Sequence, residues 1–364
     1  MAQINKSSDY FNTKLYTGNG STQSISSVGF QPDMTWIKNR GEIVAHVLFD
    51  SVRGAGGNKE LTPNETYAEG GNSTISYGFL SSFDSDGFSV SNGTSSPNQA
   101  DYVNKSSINY TSWNWLASNT TASNTDGSIT STVSANTTSG FSIVNYTGNG
   151  SSSATVGHGL GVIPSMVIVK GRSDVSAWYV KHKNLSSNNN IYLNSTGTQF
   201  DVPTGTGGGG LANLSSSTTF GFLQGTTSVN NVNTSSSTYI AYCFAEKKGF
   251  SKFGSYTGNG SADGTFIYTG FKPAFVLAKQ SSASGQDWTI YDDKRNEYNV
   301  VNKVLYPNGS SSEATAPNTY DFLSNGFKLR TTDSRENASG ATYIYMAFAE
   351  SPLVGTNNTP ATAR

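Results

Sequence analysis

The pentapeptide YTGNG stands at residues 16–20, again at 146–150 and again at 256–260. Asn-Gly is a strong short signal for a tight hairpin turn, since a type I′ turn needs φ > 0 at both central residues and Asn and Gly tolerate that best. One copy predicts a turn from a first strand into a second. Three copies point to a chain built by repetition, and the flanks test that.

The flanks repeat as well. GFQPDMTWIK (29–38), GLGVIPSMVIVK (159–170) and GFKPAFVLAK (270–279) each carry Pro six residues before Lys: Pro32 and Lys38, Pro164 and Lys170, Pro273 and Lys279. Proline suits the start of a strand, where a ladder N–H can be spared. A further strand follows: HVLFD (46–50), WYVKH (178–182), WTIYD (288–292). After a variable middle come FLSSFDSDGFSV (79–90), FGFLQGTTSV (220–229) and FLSNGFKL (322–329). Each unit closes on an aromatic-rich strand: YTSWNWLA (110–117), YIAYCFAE (239–246) and YIYMAFAE (343–350). These closing strands are apolar on both faces, which suits a central strand packed against a second sheet.

The expected fold is all-β, with three tandem homologous β-sandwich domains of jelly-roll or lectin-like kind. Residues 1–118 form the first with an N-terminal segment, 119–140 a linker, 141–248 the second, 253–350 the third and 351–364 a tail. SITSTVSA within the linker can add an edge strand. KKGFSK (247–252) is too short for free rotation, so the second and third units are expected to pack together. The tail carries no periodicity and reads as poorly ordered, or as an arm docking on a neighbour.

Composition agrees. Of 364 residues only 13% are charged, the net charge is −1, and Tyr and Phe number 19 each. The aromatics argue against a disordered chain. Scattered Lys and Arg argue against nucleic acid, and no apolar run approaches membrane-spanning length. MAQINKSSDYFN has no apolar core, so no secretory leader is expected. Cys243, the single cysteine, reads as a small core residue.

No catalytic, cofactor or metal constellation is expected. His46, His158 and His182 show no zinc-binding spacing. Asp50, Asp84, Asp86, Asp292, Asp293 and Glu297 are the carboxylates that glycoside hydrolysis would draw on, but no pair recurs among the units. Asp84-Ser85-Asp86-Gly87 resembles half a calcium loop without the closing Glu, and an Asp-Gly turn explains it equally. Trp36, Trp178 and Trp288 open two readings: packing inside the strands, or exposed rings that stack on sugar. The variable loops 51–75, 184–218 and 296–318 are the better places for recognition.

DYFNTKLYTGNGSTQSISSVGFQPDMTWIKNR, SFDSDGFSV, SNTDGSITSTVSANTTSGFSIVNYTGNGS and YCFAEKKGFSKFGSYTGNGSADGTFIYTGFKPAFVLAK together resemble a family of virion proteins of marine tailed bacteriophages, notably those infecting cyanobacteria. The resemblance extends along nearly all the chain. It departs at Ser351-Pro352-Leu353, where the family usually has Asn-Pro-Phe after FAE. Members are usually assigned as tail fibres or structural proteins by analogy. The resemblance implies a virion component assembled in the host cytoplasm, contacts with other tail or capsid proteins, a homotrimer, and contact with host surface glycan. A tail fibre or fibre-like appendage is the leading expectation. A capsid decoration protein and a polysaccharide depolymerase are the alternatives.

Overall fold

The computed structural model describes residue 4 and residues 6–202, 209–223 and 231–352. Residues 353–364, most of the expected tail, lie outside these, as do residues 203–208 of the variable loop 184–218. The protein is all-β, with 43% of residues in strands, 3% in helices and several antiparallel sheets.

The first unit holds β1 (Phe11–Thr17), β2 (Gln23–Ile25), β3 (Met34–Asn39), β4 (Val47–Asp50), β5 (Phe79–Asp84), β6 (Gly87–Ser91) and β7 (Asn109–Trp115). The second holds β8 (Ala122–Asn124), β9 (Ser131–Asn136), β10 (Phe141–Thr147), β11 (Thr155–Gly157), β12 (Met166–Gly171), β13 (Tyr179–His182), β14 (Asn189–Tyr192), β15 (Phe200–Asp201), β16 (Gly210–Leu211), β17 (Thr219–Leu223) and β18 (Thr238–Phe244). The third holds β19 (Ser251–Thr257), β20 (Phe266–Tyr268), β21 (Phe271–Gln280), β22 (Thr289–Asp292), β23 (Val301–Val304), β24 (Ala314–Leu323), β25 (Gly326–Leu329) and β26 (Thr342–Pro352).

The strand order repeats. An inner sheet runs β1-β7-β3-β4, then β10-β18-β12-β13, then β19-β26-β21-β22, and an outer sheet runs β2-β6-β5, β11-β17-β16 and β20-β25-β24-β23. The segment read as a linker supplies β8 and β9, which extend the second inner sheet beside β10. Ser351 and Pro352, read as the start of the tail, belong to β26 and pair with Lys272 and Phe271. Pro32 and Pro164 sit just before their strands, whereas Pro273 lies inside β21 at a register shift. A bulge tolerates the missing N–H there.

Alternation along each inner strand explains the burial on both faces. On β18, Tyr239, Ala241 and Cys243 face the outer sheet of their own unit, while Ile240, Tyr242 and Phe244 face away into a second core. Tyr343, Tyr345 and Ala347 against Ile344, Met346 and Phe348 repeat that division on β26. The second core is shared. It joins Phe11, Trp36, Trp113 and Trp115 to Ile168, Trp178 and Phe244 and to Phe275, Trp288 and Phe348. At its centre Trp115, Phe244 and Phe348 hold matching positions on the three closing strands. Their ring centroids form a triangle with sides of 6.4, 5.9 and 6.2 Å. The units are therefore lobes around one apolar centre.

YTGNG does not form the hairpin expected of it. β1 pairs with β7, and β2 lies in the other sheet, so the pentapeptide carries the chain from inner to outer sheet. Gly20, Gly150 and Gly260 have positive φ, but the preceding Asn residues do not, which excludes a type I′ turn. The motif is instead a lock onto the closing strand. Tyr16, Tyr146 and Tyr256 stack on Tyr110, Tyr239 and Tyr343 at 5.1, 5.1 and 4.9 Å, with interplanar angles of 11°, 16° and 7°. Asn19, Asn149 and Asn259 each make a reciprocal amide pair with Asn104, Asn233 and Asn337.

Candidate functional site

The chemically distinctive residues of the repeat meet at the seams between units. Each repeated lysine is the last residue but one of the third strand of its inner sheet, is buried, and donates to carbonyl oxygens. Lys38 reaches Asn39 O and Val44 O at 2.7 Å each and crosses to Ser310 O at 3.2 Å. Lys170 crosses to Thr66 O and Lys279 to Thr196 O, both at 3.3 Å. The traffic is cyclic: unit 1 reaches unit 3, unit 2 reaches unit 1, and unit 3 reaches unit 2. Burial pulls Lys38 and Lys170 down to about 7 and Lys279 to about 8.

The residue opening the fourth strand repeats the cycle. Trp178 Nε1 donates to Thr62 O and Trp288 Nε1 to Tyr192 O, each at 2.9 Å. His46 takes the same place in unit 1, with Nε2 at 3.1 Å from Tyr306 O. Its Nδ1 accepts from Trp36 Nε1 at 2.9 Å, so the proton sits on Nε2. Burial, with Lys38 adding to it, holds His46 well below the usual histidine range. A backbone bond closes each seam: Glu69 N to Arg172 O, Gln199 N to Ser281 O and Glu313 N to Arg40 O, at 2.9, 3.2 and 2.9 Å.

Trp36, Trp178 and Trp288, the candidates for sugar stacking, are 2%, 0% and 1% exposed. Their rings face the shared core and their N–H groups are bonded internally, so they pack and offer no face to a sugar. The structure places the acids similarly. Asp50 binds Arg53 and accepts from Tyr242 of unit 2 at 2.7 Å; Asp292 binds Arg295 and accepts from Trp113 of unit 1 at 3.0 Å. Asp293 is buried next to it. The third unit-to-unit position holds His182. Its Nδ1 accepts the turn N–H of Asn184, as the Asp carboxylates do in theirs, and its Nε2 faces Tyr345 O at 3.2 Å. A carbonyl thus replaces the donor found at the other seams, and an imidazole N–H replaces the carboxylate. Burial lowers His182 to about 3.

Asp86 accepts from the backbone N–H groups of Ser27 and Gly29, and Asp84 from the hydroxyls of Ser24, Ser82 and Ser89. This is turn chemistry. His158 and Cys243 are buried.

Glu297 borders a wide opening, and Asp293 a small one of about 50 Å³. A groove of about 470 Å³ lies where units 1 and 3 meet, lined by Arg40, Lys294, Arg295, Lys303, Glu297 and Tyr298 among others. Arg40 and Arg295 are both bonded to Glu313, at 2.8 and 3.2 Å. Lys294 stands 3.7 Å from Asp293 and Tyr298 is 75% exposed. The loop 296–318 was expected to serve recognition, and its first residues form this wall; Lys294 and Lys303 were not singled out in sequence.

No curated protein matches the chain, and no solved structure does. One family profile matches it from residue 6 to residue 352, nearly the whole length, so the chain belongs to the family described as a domain of unknown function, DUF7483.

Proposed function

We propose that this protein is a structural component of a tailed phage particle, a tail fibre or fibre-like appendage whose loops contact the host surface. The observation that carries this reading is the cyclic seam. Histidine, lysine, tryptophan and aspartate, the residues from which an active site would be built, tie three lobes into one body. Such a body is suited to presenting loops in fixed positions. The resemblance to marine phage virion proteins supports the same reading.

Gold-labelled antibody against the protein, viewed on intact particles, tests it. Label at the tail tip or along thin appendages is the expected result. Label spread over the head would replace the fibre with a capsid decoration protein, and unlabelled particles would end the proposal. The homotrimer belongs to this proposal too, although the units already make a threefold within one chain. Light scattering giving three times 38.5 kDa supports the trimer of chains; 38.5 kDa removes it.

A further inference from the structure

The residues lining the groove between units 1 and 3 have counterparts at the seam between units 2 and 1, and the two sets differ in ways the scaffold does not require. Seven residues separate Arg295 from Lys303, against five between the matching Arg53 and Lys59. The unit 1 loop is Gly54-Ala55-Gly56-Gly57-Asn58; the unit 3 loop carries Glu297 and Tyr298. The longer loop is held in shape. Asn296 Oδ1 accepts from Asn302 N and Lys303 N at 3.1 and 2.8 Å, and Asn299 bonds Phe322 in both directions at 3.0 and 2.8 Å. Tyr298 is thus presented to solvent on a fixed loop. The charges differ as well. Arg172 and Arg53 engage Glu69 as Arg40 and Arg295 engage Glu313 in the matching place, but Glu69 also pairs with Lys59, at 3.5 Å. Lys303 makes no ion pair among the described residues; Lys294, 45% exposed, is paired with Asp293 at 3.7 Å, and Glu297 is the carboxylate on the same wall.

We propose that this groove binds an acidic saccharide, a sugar chain bearing carboxylates. Tyr298 offers a ring face for a sugar, and Lys294 and Lys303 offer ammonium donors for its carboxylate. The preset loop lowers the ordering cost of binding. This rests on the reading of the loops as a recognition surface. It does not depend on where the protein sits on a particle, so a failure here and a failure of the particle labelling can be told apart.

Calorimetry on the full purified chain tests it, with a galacturonate hexamer as the acidic probe, a neutral glucose hexamer as its control, and sodium phosphate as a simple anion. Saturable binding of the galacturonate alone, weakening with added salt, is the expected result. Lys303→Glu should weaken it about 10- to 100-fold and Tyr298→Ala about 3- to 10-fold. Lys59→Glu, at the matching place of the seam between units 2 and 1, should leave it unchanged. Absence of galacturonate binding at millimolar concentration, equal binding of the neutral hexamer, or binding untouched by Lys303→Glu and Tyr298→Ala would each overturn the proposal. Phosphate binding lost in Lys303→Glu, with no galacturonate binding, would overturn the saccharide assignment.

Discussion

Gly148 shows what one added methyl group would do. A Cβ there would stand 2.2 Å from Thr234 O and 2.9 Å from Asn233 C, both backbone atoms. Gly161, with positive φ, has nothing within 4 Å of its added Cβ. Gly148→Ala should therefore cost on the order of 3 kcal/mol, and Gly161→Ala about 1 kcal/mol. Urea unfolding checks this, and equal losses would contradict the lock. The Asn partners of that lock are written in the sequence. N-x-S followed by Tyr recurs at 104–110, 233–239 and 337–343, and was hidden by the many similar triplets in a chain rich in Ser, Thr and Asn. His182 adds a pH effect. Folded, it stays neutral down to about pH 3, whereas in the unfolded chain it takes a proton near pH 6.5. The unfolded state binds more protons between those values. The stability that His182 contributes is therefore complete above about pH 6.5 and falls as pH drops, by up to about 1.4 kcal/mol per unit. His46 acts in the same direction. Urea midpoints from pH 7 to pH 4 should decline, and less steeply in His182→Gln.

At the scale of the element, the third and fourth strands of each inner sheet carry the seams. Lys170→Met would take the ammonium donor from Gly171 O and leave Thr66 O with the N–H of Ser176 alone, and loss of a buried acceptor's donor costs about 1–3 kcal/mol. Asp292→Asn should cost more. It breaks a fully buried pair with Arg295 and disturbs the bond from Trp113; removal of one member of such a pair costs about 3–5 kcal/mol. Thermal unfolding of the two variants should show that order, and the reverse would mean that the Asp292 pair adds little. The strands themselves were readable, because apolar residues on both faces mean cover on both sides. The identity of the second cover was not. Trp178 and Thr62 lie 116 residues apart and Lys38 and Ser310 lie 272 apart, so no local period reports them.

At the scale of the whole molecule, the shared core makes each unit dependent on the other two. Unit 1 alone would expose Phe11, Trp36, Trp113 and Trp115. A contiguous aromatic face of that kind drives association. Residues 1–120 expressed alone should aggregate, and co-expressed with 121–364 they should co-purify as a one-to-one pair. A soluble, monomeric 1–120 fragment would show that the shared core is dispensable.

By itself the sequence determined the threefold repeat, the all-β class and the strands covered on both faces. These follow from local period and turn chemistry, which neighbouring residues write together. Only the tertiary structure decided that YTGNG is a lock and not a hairpin, that the tryptophans face a common centre, and that Lys38, Lys170 and Lys279 each serve the neighbouring unit. Those facts depend on which face of each sandwich meets another. An apolar face reads the same in sequence whatever surface covers it.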